Sequence, residues 1–454
     1  MNYIIVAISY ALYSLWDWRF LFLIAFTSLC SWASGLLIVR SHRPKLWLVV
    51  NVTVNLGILG VFKYYDFFVR SFATLTGISP DGMLLNLILP VGISFYTFQA
   101  LSYTIDVYRG TIRPTTDIVA FFAFVSFFPQ LVAGPIERAS NLLPQFLSRR
   151  RFCYGEAVDG MRQALWGLFK KAVIADTCAT FVNFVFDRYE TLGSGYLLLA
   201  AVLFSFQIYG DFSGYSDIAI GVSKLFGIHL SRNFNVPYFS RDITEFWRRW
   251  HISLTTWFRD YVYIPLGGSR PVISPDSRHP ELHRRLIIIR NTMVIFLLSG
   301  FWHGANWTFI CWGLFNALLF LPFILTGRNR RHVGDNATLS DLPSVILTFV
   351  CVTVGWILFR VESIADFLPY CQQMLTHSPI SGMGEALIRA DVRNSLIFIA
   401  VMTIAEWKTR TCRHGLSFVS GIPHTWLRFA IYYVLILLIW KYGTTPQTFI
   451  YFQF

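Results

Sequence analysis

The sequence predicts an all-α, polytopic integral membrane protein. Three observations predict it: the hydrophobic content, the length of the apolar blocks, and their lack of alternation. Of 454 residues, 55% are hydrophobic and only 14% charged, where soluble domains carry about 25% charged residues. Apolar blocks such as residues 20–39 have the length a helix needs to cross a hydrocarbon core about 30 Å thick. Backbone groups inside lipid must pair within the spanning structure, which leaves helices or a closed barrel. The blocks are continuous and do not alternate every second residue, so the spans are helices.

In chain order, the candidate segments are 2–16, 20–39, 46–69, 84–106, 117–134, 161–186, 195–228, 286–302, 306–326, 343–360, 394–407 and 426–442. The first lacks a basic leading region and a small-residue cleavage site, so it reads as a retained helix, not a signal peptide. Arg40, Arg43 and Lys45 place the loop after the second segment, and with it the N-terminus, in the cytoplasm. Strict alternation then leaves Arg149, Arg150 and Arg151 outside. A re-entrant segment between 84 and 134, broken at Pro90 and Gly92 and again at Pro129, Gly134 and Pro135, restores the count. No internal repeat of the transporter kind is evident. Residues 1–454 therefore read as one membrane-embedded domain of about 10–12 helices plus re-entrant or interfacial segments.

The stretch 233–285 differs from the rest: it is aromatic and basic, and breaks at Ile264, Pro265, Leu266, Gly267 and Gly268. Within it, 244–261 reads as one amphipathic helix. Trp247, His251, Leu254 and Phe258 share a face, with Arg248, Arg249 and Arg259 mainly elsewhere. Such a helix lies along the interface or dips into a protein-lined cavity. The polar loop 270–285 after it is expected in the cytoplasm.

Lys and Arg exceed Asp and Glu by 38 to 25, a net charge of +13. In a membrane protein, basic loops facing anionic lipid account for that excess. No DNA-binding motif is present, so membrane lipid, and not nucleic acid, is the expected partner. Fifteen Trp and twenty-one Tyr suit two interfacial belts. The seven cysteines are scattered without CxxC or Cys/His spacing, which argues against a disulfide framework and a metal site.

Three clusters put ionisable groups in or beside apolar sequence, where each is costly and needs a reason. The first is Leu298 through Trp307, with His303 between Trp302 and Trp307 at the junction of two spans, and with Gly300 and Gly304 allowing backbone or ligand to approach closely. Asn306 is a candidate partner for the imidazole or a substrate carbonyl; the competing reading is a core histidine bonded to a neighbouring helix. The second is Phe246 to Leu254, containing Arg248, Arg249 and His251. Its competing reading is an interfacial helix with solvated Arg and anchoring Trp. In the third, Gln207, Asp211 and Tyr215 stack at helical spacing, with Ser213 and Asp217 as a second pair. Two carboxylates there mean a wet cavity or structural ion pairs. There is no GxSxG elbow, P-loop, HExxH or dinucleotide fingerprint. Acid–base chemistry by histidine remains, since an imidazole titrates near neutrality.

At these residues the chain resembles the membrane-bound O-acyltransferase superfamily, in its alginate O-acetylation branch. The resemblance is carried by Glu245 through Leu254 and on through Trp257, Phe258, Arg259, Asp260, Tyr261 and Tyr263 to Gly268. It extends to Trp302 through Trp307, Asp211 through Asp217, Ala133 through Ile136, and Phe449 through Phe454. It runs from about Tyr10 onwards. It implies a donor used from the cytoplasmic side, an acceptor on the other side, and a histidine between them in a transmembrane tunnel. Carried over by motif, His303 is the catalytic histidine and His251 the second functional one, with Trp302, Asn306, Trp307, Asp211, Tyr215, Asp217, Arg248 and Arg249 lining or supporting the tunnel. Family members carry a further N-terminal hydrophobic segment before the motif seen here at Trp16 and Asp17. Gly210 stands where an aromatic is more usual, which is expected to enlarge the space beside Asp211.

The reading is acetyl transfer towards hydroxyls of an extracytoplasmic polysaccharide, at the bacterial cytoplasmic (inner) membrane. Acetyl-CoA or another acyl donor is the co-substrate, with no tightly bound cofactor. The resemblance suggests a periplasmic SGNH-type acetyltransferase and polysaccharide export proteins as partners. Arg and His in 270–285 are candidates for the donor's phosphates. The rivals are D-alanyl transfer to teichoic acid from a carrier protein, a proton-coupled transporter or flippase, and a non-catalytic scaffold. The segments 207–217, 244–261 and 299–307 are expected to converge on one cavity, with the two histidines within roughly 15 Å of each other.

Overall fold

The computed structural model describes residues 1–269, 271–273, 279–376, 378, 380–443 and 447–450. Among the described residues all regular structure is helical, without strands. Seven helices among them are long and apolar enough to cross a membrane: Arg19–Arg40, Pro44–Thr76, Ser194–Leu225, Pro280–His303, Trp307–Leu325, Leu339–Arg360 and Thr425–Tyr442. The chain forms two compact units, Met1–Glu156 with Val222–Ser231, and Ala157–Gly221 with Arg232–Phe454.

In the first unit, Arg19–Arg40 packs on Pro44–Leu59 and Ile93–Tyr108. Lipid supplies no hydrophobic drive between helices, so polar bonds and small residues make the seam. Asn51 and Asn55 donate their amide hydrogens to Ser31 Oγ, at 3.0 and 3.3 Å. The expected segment 84–106 is helical only over Ile93–Tyr108, and 117–134 divides into Ile118–Ser126 and Phe128–Leu131. Nine residues rise about 14 Å, too short to cross. The chain is thus broken at Pro90 and Gly92 and again at Phe127, with Pro129 in the first turn of the short helix that follows.

In the second unit, residues 154–186 form continuous helix with one wide π-type turn, Phe169–Ala175. Pro280–His303 and Trp307–Leu325 pack as a close antiparallel pair joined by three residues. Gly300 and Gly313 make this possible. A Cβ on Gly300 would collide with the Phe309 carbonyl, and one on Gly313 with the Phe296 carbonyl.

The single amphipathic helix expected over 244–261 is not formed. Two short helices stand there, Ile243–Arg249 and Ile252–Phe258, and His251 between them is left-handed at φ +44°. The cause is a neighbouring segment. Asn235 N–H donates to the Arg249 carbonyl at 2.9 Å, and the Asn233 carbonyl accepts from Ile252 N–H at 2.9 Å. These bonds replace those a continuous helix would make. Asp242 opens the first helix, its carboxylate accepting from the backbone of Thr244 and Glu245 at 2.8 Å each.

Candidate active site

His303 is the last residue of the Pro280–His303 helix and His251 the break between the two short ones. His303 is 5% exposed and His251 1%. Their ring centroids are 6.4 Å apart. Trp302, Trp312 and Phe359 surround His303 at 5.1, 5.1 and 5.5 Å. Phe212 meets His251 edge-on at 4.6 Å, and Trp302 lies 6.0 Å from it. Both imidazoles line one cavity of about 260 Å³, along with Trp247, Thr255, Phe258, Thr292 and Ser299. Its lining runs out to the exposed Arg259 and Arg330. The expected convergence therefore holds for the two histidines; the 207–217 segment touches His251 through Phe212 but places no residue in the cavity lining.

Two buried ring nitrogens in this lining, His251 Nε2 and Trp247 Nε1, have no hydrogen-bond partner among the described residues. Buried polar atoms are rarely left so, and a ligand is one remedy. Burial pushes the His251 imidazole down to about 3, so the ring is neutral at physiological pH. His251 Nδ1 is 3.1 Å from Asn233 Oδ1, a residue the motif reading passed over. Asn233 lies outside every candidate span and motif, so only its place beside the helix break in the fold marks it.

Asp211 and Asp217 do not line this cavity. Lys171 Nζ sits 2.9 Å from Asp211 and 2.7 Å from Asp176; Lys170 Nζ sits 2.6 Å from Asp217 and donates to Ser213 Oγ at 2.8 Å. Both lysines come from the wide turn, and the carboxylates form structural ion pairs. Gln163 also donates to Asp217, and the Ile450 N–H to Asp211, at 2.8 and 2.7 Å. Tyr215 packs on Phe449, centroids 4.4 Å apart. Gly210 opens no space beside Asp211: a Cβ there would lie 3.0 Å from the Lys170 carbonyl, so the position is a tight helix contact.

Asn306 differs from expectation as well. It caps the Trp307–Leu325 helix, Oδ1 accepting from Thr308 N–H at 3.1 Å, and donates to the Glu362 carbonyl at 2.9 Å. It bonds neither imidazole. Trp307 is 52% exposed and outside the cavity lining. Arg248 donates to the Asn329 carbonyl at 2.6 Å, and Arg249 to Glu245 at 2.8 Å and the Asp335 carbonyl at 3.0 Å. Together they clamp the 326–341 connection. Burial alone would raise the Glu245 carboxyl, but hydrogen bonds from Arg241 and the Arg249 charge hold it below its usual value. Of the loop 270–285, Arg270 and residues 274–278 lie outside the described residues; Arg284 and Arg285 are exposed on the helix that follows. Residues 451–454 of the terminal motif also lie outside them. Among the described residues no group of His, Cys, Asp or Glu is arranged to hold a metal.

Comparison with known proteins supplies the class. The model of the membrane-bound O-acyltransferase family matches residues 111–359, a stretch holding both histidines, the lysine–aspartate cluster and the Arg248/Arg249 clamp. The chain belongs to this family and is a multi-pass membrane O-acyltransferase. Enzyme therefore prevails over transporter and scaffold. Among individual proteins, it is 39% identical over 373 residues to "Probable alginate O-acetylase AlgI" of Pseudomonas aeruginosa, covering 80% of this chain and 67% of that one. It is 34% identical over 406 residues to the peptidoglycan O-acetyltransferase of Helicobacter pylori, covering 83% and 74%. Likeness to the teichoic acid D-alanyltransferase of Bacillus subtilis is more distant, 28% over 283 residues, covering 60% and 69%.

Proposed function

We propose that the protein moves acetyl groups from a cytoplasmic thioester donor to hydroxyls destined for a polysaccharide outside the bacterial inner membrane, with His303 as the proton acceptor. The observation that carries this reading is the shared cavity: two buried imidazoles 6.4 Å apart, on one void that reaches exposed arginines. In the step envisaged, the hydroxyl oxygen attacks the acyl carbonyl as His303 takes its proton. The C–S bond then breaks, and the proton passes to the departing thiolate. About 260 Å³ is below the usual range of pockets that bury drug-sized ligands, which suits a short acyl group. Acetyl-CoA is the donor on this reading, its phosphates met by Arg259 and Arg330, since guanidinium pairs well with phosphate. The names of the Pseudomonas and Helicobacter relatives support O-acetylation of a polymer. A periplasmic SGNH-type acetyltransferase and export proteins would complete delivery.

The test uses purified protein in lipid nanodiscs with radiolabelled acetyl-CoA, alongside cells whose envelope polysaccharide is assayed for O-acetyl ester. Donor turnover by the wild type, lost in His303→Ala at equal expression, supports the reading. Undiminished ester in the variant overturns the role of His303. Turnover only with a D-alanyl carrier protein moves the enzyme to teichoic acid.

A further inference from the structure

Asn233 is wholly buried, and its side chain is engaged at both ends. Oδ1 accepts from Ser253 Oγ at 2.9 Å and from Ser253 N–H at 3.3 Å, and faces His251 Nδ1 at 3.1 Å. Nδ2 donates to Ser216 Oγ at 3.1 Å. The oxygen and nitrogen of a side-chain amide are told apart by their partners. Here the Ser253 backbone N–H decides, because it can only donate, so the atom it faces is the oxygen. A ring nitrogen facing that oxygen must carry a hydrogen, or two lone pairs would meet. Neutral imidazole has a single N–H, so a proton on Nδ1 leaves the lone pair on Nε2.

His251 Nε2 is the atom without a partner among the described residues, on a ring that lines the cavity shared with His303. We propose that Asn233 is a positioning residue that locks His251 as its Nδ1–H tautomer, so that His251 offers the cavity a hydrogen-bond acceptor. His251 then binds a substrate O–H or N–H, and has no hydrogen on Nε2 to donate to an acyl carbonyl. The complementary donor in the same lining is Trp247 Nε1–H, also buried and without a partner among the described residues. The backbone adds to the lock: the Asn233 carbonyl accepts from Ile252 N–H, which holds the left-handed turn that aims the ring.

The proposal goes beyond the acetyl-transfer reading and is tested separately from it. Solid-state NMR of ¹⁵N-histidine-labelled protein in lipid, with His251→Gln used to assign the signal, reads which ring nitrogen bears hydrogen. The expected wild-type state is Nδ1–H. Asn233→Ala should release the lock, so that the Nε2–H tautomer appears. Asn233→Asp retains an acceptor at the same place and should keep the hydrogen on Nδ1. Acyl transfer should fall on the order of 10²-fold in Asn233→Ala, the scale of one positioned acid–base group, and recover in part in Asn233→Asp. A wild-type His251 protonated at Nε2 overturns the proposal. So does an Asn233→Ala protein whose tautomer is unchanged. If Asn233→Ala fails to fold, the wild-type and Asn233→Asp spectra decide the question alone. None of these spectra depends on which acyl group the enzyme carries.

Discussion

Buried polar groups gather at two places in the second unit, and the two are built on opposite terms. Beside the Ser194–Leu225 helix, Asp211, Asp217 and Asp176 each meet a lysine within 2.9 Å. Nearby, Tyr209 donates to the Glu406 carboxylate at 2.9 Å. Each carboxylate there is met by a lysine or by a hydrogen-bond donor. Around His251 the aromatic walls are just as tight, yet a void of about 260 Å³ remains, and the nitrogen facing it is unmet. On the proposed function, the difference separates what holds the protein together from what it works with. A carboxylate paired in the resting state is already satisfied, whereas an unmet atom beside a void is satisfied by substrate.

That contrast is broken or sharpened by substitution. His303→Ala should reduce acyl transfer by about 10²–10⁴-fold, measured as O-acetyl ester at equal protein, with the unfolding temperature almost unmoved. Loss of fold instead of activity would make His303 a core residue. Lys171→Met should do the reverse. It strands two buried carboxylates, a change that costs about 3–5 kcal/mol for a buried pair, read as a drop in thermal stability and in yield. Activity per folded molecule should then stay near wild type.

Acid gives a smaller effect. The folded-state value of His251 is depressed to about 3, below the ~6.5 of a free imidazole. The unfolded chain therefore binds the proton first, and His251 favours folding fully only above about 6.5. Stability should decline as pH falls from there towards 3, and His251→Gln should decline less steeply. Parallel curves for both proteins would show that the ring is not buried as a neutral base. Asn306→Ala should cost least, about 1 kcal/mol for a lost helix cap. It is checked by thermal unfolding, with turnover per folded molecule kept. Impaired turnover at unchanged stability would return Asn306 to the chemistry.

Much of this was legible in one dimension. The spans 20–39, 306–326 and 426–442 correspond to Arg19–Arg40, Trp307–Leu325 and Thr425–Tyr442, because apolar length is a local property that lipid enforces. His303 stood out for a related reason: an ionisable residue between spans is costly wherever the chain folds. The carboxylates were less legible. Asp211 and Asp217 announced that something must answer them, but Lys170 and Lys171 lie some forty residues away, on the wide turn Phe169–Ala175, and only the fold brings them together. Asn306 was legible as polar and misassigned in role, since a helix cap and a carbonyl-binding amide look alike until the following turn is seen.

By itself, the sequence determined a helical membrane protein and marked two histidines placed where an ionisable group is costly. These follow from hydrophobic length and from the cost of an ionisable side chain beside apolar sequence, both of which belong to single residues or short runs. What only the tertiary structure decided is how His251 faces the cavity. Periodicity put Trp247 and His251 one turn apart on a continuous helix. Asn233 and Asn235, arriving from an earlier segment, take the backbone bonds at Arg249 and Ile252, end one helix and start another. A helix continues only while each N–H finds the carbonyl four residues back. A competing carbonyl from elsewhere in the chain stopped it at His251 and turned the ring towards the void it shares with His303.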